Sequence, residues 1–158
     1  MPNIVLDSRQ LCDLDLLLNG SFAPVHTFMN EKDYHSVLEN MHLTSGELFP
    51  LPITLCSSYD VSVGDTVQLV DQHNYPIASL EVNEVYSPDV EKECNSVYGC
   101  CDDNHPYIKR ILENKDSHYI SGKLTKINGV HHFDYPELRR TPEEVRNLFK
   151  EKGWNKVV

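Results

Sequence analysis

The chain has 158 residues, 40% of them hydrophobic and 24% charged, which is ordinary for one globular domain and excludes a mainly disordered polypeptide. A chain of this size buries roughly 70% of its unfolded surface, enough for one core without staples. Fourteen basic against 24 acidic side chains give a formal charge of −10, which disfavours non-specific nucleic-acid binding, and no apolar run approaches the ~20 residues of a membrane span.

The N-terminus, Met1-Pro2-Asn3-Ile4-Val5-Leu6-Asp7, has neither a basic stretch nor a long apolar one, so no secretory signal is expected. Ser8 is read as the N-cap of a first helix, with Leu11, Leu14, Leu17 and Leu18 on one face and Asn19-Gly20 ending it. Glu31 to Met41 repeats the pattern, with Tyr34, Val37, Leu38 and Met41 at i, i+3, i+4 and i+7. Pro50 and Pro52 exclude helix, and the alternation of Leu51, Ile53 and Leu55 predicts an edge strand over 50–55. Strands over 66–71 and 76–85, joined by Asp71-Gln72-His73-Asn74, predict an antiparallel hairpin.

Pro88 to Tyr98 is an acidic helix, and Asp89-Val90-Glu91-Lys92-Glu93 is read as its solvated start. After the loop Tyr98 to Asn104, His105-Pro106 opens another helix with Ile108, Ile111 and Leu112 inward. A strand over 119–127 contains Gly122, a candidate bulge. Asn128-Gly129 predicts a tight turn into a returning strand over 130–133. Thr141-Pro142-Glu143-Glu144 is a capping box, and Val145, Leu148, Phe149 and Trp154 are expected to be buried beside the helix it opens. Lys156-Val157-Val158 has the look of a new strand cut short.

Several segments together resemble the ATP sulfurylases (sulfate adenylyltransferases). They are Asn19-Gly20-Ser21-Phe22-Ala23-Pro24, Phe28-Met29-Asn30-Glu31-Lys32-Asp33-Tyr34, Pro50-Leu51-Pro52-Ile53-Thr54-Leu55, Phe133-Asp134-Tyr135-Pro136-Glu137-Leu138-Arg139-Arg140-Thr141-Pro142-Glu143 and Gly153-Trp154-Asn155-Lys156-Val157-Val158. The resemblance covers nearly the whole chain and implies one domain over 1–158. It implies an α+β, mainly β fold: the family's N-terminal PUA-like β-barrel flanked by short helices. The family's Gln-x-Arg-Asn-Pro signature and paired histidines, which serve ATP and sulfate, are not in this sequence. The chain is then either a piece of a longer protein or a stand-alone relative. Two smaller departures accompany this. Val25-His26-Thr27 stands where the family has Leu-x-Gly, so Thr27 is expected to need a different backbone from a glycine. Cys100-Cys101 occupies a loop that is cysteine-free in the family.

No residue is assigned a catalytic role. Cys12, Cys56, Cys94, Cys100 and Cys101 are odd in number and irregular in spacing, as expected of reduced thiols in a cytoplasmic setting. Cys94, Cys100, Cys101 and His105 lie within twelve residues, but C-x5-C-C-x3-H is not a zinc-knuckle spacing, and no metal or other cofactor is expected. His131 and His132, adjacent on an expected strand, would face opposite sides of a sheet. The seven glycines are scattered singly, so no phosphate-cradling loop exists. The binding candidates are Arg139 and Arg140, before a helix N-terminus, as interdomain ion-pair partners or anion ligands.

Three roles are expected. The first is an accessory domain in sulfate activation that meets a catalytic domain without doing chemistry. The second is a stand-alone PUA-like module binding RNA, a nucleotide or a protein. The third is a self-associating structural protein.

Overall fold

The computed structural model describes residues 2–57, 59–114 and 117–157. The elements run β1 (Asn3–Val5), α1 (Ser8–Asn19), α2 (Glu31–Asn40), β2 (Leu55–Ser57), β3 (Thr66–Val70), β4 (Pro76–Tyr86), α3 (Val90–Tyr98), α4 (Pro106–Glu113), β5 (His118–Lys126), a 3-10 turn (Pro136–Leu138) and α5 (Pro142–Glu151). The strands form one curled sheet, a half-barrel, in the order β1-β3-β4-β5-β2, and helices surround it. Among the described residues β1 and β3 pair in parallel, and the β3–β4, β4–β5 and β2–β5 pairs are antiparallel. The mixed α and β architecture expected from the sequence is present.

Most elements lie where the patterning places them, and the differences have local causes. Asp7, not Ser8, caps α1: its carboxylate accepts from the amides of Arg9 and Gln10 at 2.9 and 3.0 Å, and Gln10 returns a bond to the Asp7 amide. Gly20 then ends the helix in the left-handed conformation, φ 81°. The edge strand starts at Leu55 rather than near residue 50, because Pro50 and Pro52 offer no N–H to a ladder. β1 carries no alternation signal; it is three residues long with one buried position, Ile4.

The returning strand expected over 130–133 does not form. β2 covers β5 only over His118–Ile120, so the far end of β5 has an edge that the chain does not use. Instead the amides of Ile127 and Asn128 both bond the Ile77 carbonyl, and the Asn128 side chain bonds Pro76 O at 2.7 Å. These bonds lead the chain past the end of β4 and off the sheet. Residues 154–157 are not a strand either; Val158 lies outside the described residues.

The core is the inner face of the sheet closed by α1 and the segment after it. Leu14, Phe28, Leu55, Val67, Leu69, Leu80, Val82 and Ile120 are almost wholly buried. Each such side chain contributes about 1.5–3 kcal/mol. Residues 27–29 are not a strand, yet they are stitched to the sheet as one would be. Thr27 Oγ1 donates to Gly122 O at 2.5 Å, Ser121 Oγ to Phe28 O at 2.6 Å and Tyr86 OH to Met29 O at 2.9 Å, while the Met29 amide bonds Ile53 O. Thr27 has no positive φ, and its hydroxyl, which a glycine lacks, makes the first of these bonds.

Gly122 lies opposite Val82, where the β4–β5 register slips between Val82 and Glu84. The bulge expected at Gly122 is therefore on the facing strand, at Asn83. A Cβ on residue 122 would overlap the Glu81 carbonyl oxygen and lie 2.8 Å from its carbon. Both are backbone atoms that cannot rotate away. Gly122→Ala is expected to cost about 3 kcal/mol in urea unfolding, the upper end of overpacking effects, whereas Gly129→Ala, with open space around it, is expected to change stability by less than about 0.5 kcal/mol.

Candidate functional site

Three features away from the main core bring chemistry-bearing side chains together. The first is a polar layer under α3. Glu93, 5% exposed, is buried rather than solvated, contrary to its reading as part of an exposed acidic run. Helical spacing explains this: Val90, Cys94 and Val97 turn one stripe of α3 inward, and Glu93 lies at its edge. Its Oε2 accepts from Tyr34 OH at 2.9 Å and Tyr119 OH at 3.0 Å. Tyr86 completes an aromatic cluster with ring centroids 5.7–5.8 Å apart.

Burial raises the Glu93 carboxyl above its ordinary range, and the two phenol donors pull the other way. The same burial, with the carboxylate beside them, pushes the phenols of Tyr34 and Tyr119 far above theirs. Above this layer lies a cavity of about 200 Å³ between α1, β2 and α4. Its charges are spent on one another. Arg110 pairs with Asp7, Arg9 lies 3.6 Å from Asp13 and 4.2 Å from the centroid of the Tyr107 ring, and Gln10 bonds Cys56 O at 3.2 Å. Such mutual pairing ties α1 to α4 and β2 and leaves few donors for a ligand.

The second feature is a more apolar cavity of about 550 Å³ beside α1, lined by Leu11, Leu16, Ile77, Val130 and Phe133, with His73, His131 and His132 at its rim. His131 and His132 are not on a strand. His131 stacks on Phe133 at 4.6 Å, and His132 Nε2 meets Asp15 Oδ2 at 3.0 Å, which holds the departing chain against α1. Among the described residues no group of three or more His, Cys, Asp or Glu is placed to hold a metal ion.

The third feature is the segment from Phe133 to Val157. Its apolar side chains face outward: Phe133, Tyr135, Leu138 and Trp154 are 89, 70, 71 and 53% exposed. The sequence pattern predicts burial of Val145, Leu148, Phe149 and Trp154; none is buried. The stripe of α5 covers little beyond Trp154, whose ring lies 6.2 Å from that of Phe149, and an open cleft separates Arg146 and Lys150 from the end of α1. The capping box itself is as expected: Glu144 N bonds Thr141 Oγ1 at 3.2 Å and Thr141 N bonds the Glu144 carboxylate at 2.6 Å.

Arg139 and Arg140 lie in this segment, both exposed. Arg139 grips Asp134 at 2.6 Å, which lowers the Asp134 carboxyl, and Arg140 Nη1 bonds the carbonyls of Glu137 and Arg139. The two guanidiniums thus brace one loop and do not converge on a common point. Residues 134–157 carry six of the 14 basic side chains but five of the 24 acidic ones, so this face differs in charge from the acidic remainder.

A curled five-stranded sheet with a helix-capped inner face, and a C-terminal arm leaving it, is the architecture of a PUA-like half-barrel domain. The chain belongs to the PUA-like domain family, whose family model matches residues 1–129. It is 44% identical to the sulfate adenylyltransferase of Neosartorya fischeri and 40% identical to that of Schizosaccharomyces pombe, in each case over the whole of this chain. The chain spans only 29% and 34% of the length of those relatives and corresponds to their N-terminal part. Among solved structures, a hexameric APS kinase from Thiobacillus denitrificans superposes with a TM-score of 0.71 at 26% identity, over 98% of this chain and 27% of that one. Among the described residues no helix is long and apolar enough to cross a membrane.

Two outcomes are expected. The folded state holds Glu93 with a raised pKa, so it binds the proton more tightly than the unfolded chain. Stability should therefore fall as pH rises from about 4.5 through the raised value and level off above it. Glu93→Gln should remove that decline when urea midpoints are compared across pH 4 to 8. Thr141→Ala should cost α5 about 1 kcal/mol of local helix stability, seen as faster amide exchange in 142–151, without moving the global unfolding midpoint.

Proposed function

We propose that this chain is an accessory domain of a sulfate adenylyltransferase-type protein and that it contributes an interdomain surface rather than a chemical step. The observation that carries the reading is the outward-facing apolar arm from Phe133 to Val157. Several large apolar side chains exposed within one segment favour an interaction site. Its position supports the same reading, because the relatives are three times longer and this chain corresponds to their N-terminal part.

In this role Phe133, Leu138 and Trp154 are the apolar anchors, and Arg140 supplies a guanidinium for a carboxylate or other anion on the facing domain. Adenylyl transfer to sulfate needs positive groups oriented about a phosphate and two reactants held in line. Those tasks fall to the larger remaining part of such a protein, in a cytoplasmic setting. The hexamer of the structural neighbour favours a second reading, in which the same arm joins copies of this chain.

The test mixes the chain with the Schizosaccharomyces pombe relative shortened by its matching N-terminal third. Binding is measured by calorimetry and pyrophosphate release is followed with ATP and sulfate. The chain alone should release no pyrophosphate above blank but should bind the shortened relative. Leu138→Asp and Trp154→Ala should each weaken that binding roughly 30-fold, as central interface anchors do, while Val63→Ala outside the arm should not. Sulfate-dependent release by the chain alone would overturn the reading. Failure to bind, with a stable oligomer in light scattering, would favour self-association instead.

A further inference from the structure

The cysteines at the end of α3 stand apart from the interdomain surface of the C-terminal arm. Gly99 is left-handed, φ 76° and ψ 1°, and its amide bonds Asn95 O at 3.0 Å, so the chain doubles back on the helix it has just left. Cys101 consequently lies alongside α3, and its thiol donates to Glu91 O at 3.5 Å. Glu91 and Cys94 are three residues apart on a helix, hence neighbours on its surface. The Cys101 thiol therefore lies within one helical turn of Cys94, near enough to affect its ionisation. Cys94 is fully buried against Ile108 and Ile111 of α4, while Cys100 and Cys101 are exposed. An accessible thiol is thus held one helical turn from an inaccessible one.

We propose that Cys94 and Cys101 form a redox-active dithiol that closes to a disulfide when a low-molecular-weight disulfide such as oxidised glutathione is the oxidant. Cys101, which solvent reaches, gives up its proton to water and attacks one sulfur of the oxidant. The oxidant's S–S bond breaks and the first glutathione leaves as a thiolate that takes up a proton. Cys94 then loses its proton, attacks the Cys101 sulfur and expels the second glutathione. Two protein thiols are oxidised and one glutathione disulfide is reduced to two thiols.

The order of attack is set by the surroundings. Burial, and secondarily the neighbouring Cys101, pushes the Cys94 thiol up to about 11, so it is not the first nucleophile near neutral pH. Cys100 is the rival partner. A Cys100–Cys101 bond closes an eight-membered ring through one peptide unit.

The experiment treats the full reduced chain with oxidised glutathione at neutral pH, traps free thiols with iodoacetamide and maps peptides by mass. The expected product has lost two hydrogens, with Cys94 and Cys101 in one cross-linked peptide. Cys100→Ser should give the same product at the same rate. Cys101→Ser should slow the loss of the Cys94 thiol at least about tenfold. Cys94→Ala should stop at one glutathionyl group on Cys101. Circular dichroism of each variant separates these effects from misfolding, and a pair of variants that fold suffices. A wild-type chain that stops at a mixed disulfide with Cys94 free, that cross-links through Cys100, or that does not react at Cys101 would overturn the proposal.

Discussion

One carboxylate holds the helical layer to the sheet. Burying Glu93 costs several kcal/mol of lost hydration unless its oxygens are satisfied, and the hydroxyls of Tyr34 and Tyr119 satisfy one of them from opposite sides. Those donors come from α2 and β5, and Glu93 comes from α3, so three elements distant in sequence meet at a single atom. The aromatic cluster around it then packs Tyr86 of β4 into the same layer. Removing Glu93 altogether would take the acceptor from the Tyr119 hydroxyl and leave Tyr34 only its longer bond to Asp89 O at 3.3 Å.

A second constraint decides where the chain goes after the sheet. Residues 27–29 are bound to β4 and β5 by side-chain donors, and β5 has both neighbours in place. The last strand of the half-barrel ends at Lys126. The chain beyond that residue is held by Asn128 to Pro76 and by His132 to Asp15, both at the margin of the domain. The apolar residues of the arm have no core left to enter. Their exposure is the physical basis of the proposed interdomain role, and the basic enrichment of the same segment gives an acidic domain a differently charged contact face.

Helices with caps are the most legible part of the sequence, because the caps are local: Thr141 with Glu144, Gly20 and Gly99 each act within one turn. The β3–β4 hairpin is legible for the same reason, its turn being built on Asp71, which accepts from the amides of His73 and Tyr75. Features set by distant partners are not. Asn128-Gly129 has a hairpin signature, but the amides of Ile127 and Asn128 are taken by Ile77 O of β4, a partner the local sequence does not show. The apolar stripe of α5 has the period of a buried helix, yet period alone does not say which surface it meets. Glu93 sits in an acidic run whose neighbours are solvated, and only Tyr34 and Tyr119, far away in sequence, explain its burial. Arg139 and Arg140 are legible as an exposed basic pair but not as the braces of their own loop.

Amide hydrogen exchange on the chain, free and mixed with the N-terminally shortened Schizosaccharomyces pombe relative, tests the central claim most directly. In the free chain, amides of β4 and β5 should exchange slowly and those of residues 133–157 quickly, because the arm lies outside the core. On mixing, protection should appear in 133–157 and leave β3, β4 and the polar cavity near Arg110 unchanged. Protection confined to the cavity or the sheet, with 133–157 still exchanging freely, would contradict the assignment of the arm as the contact face.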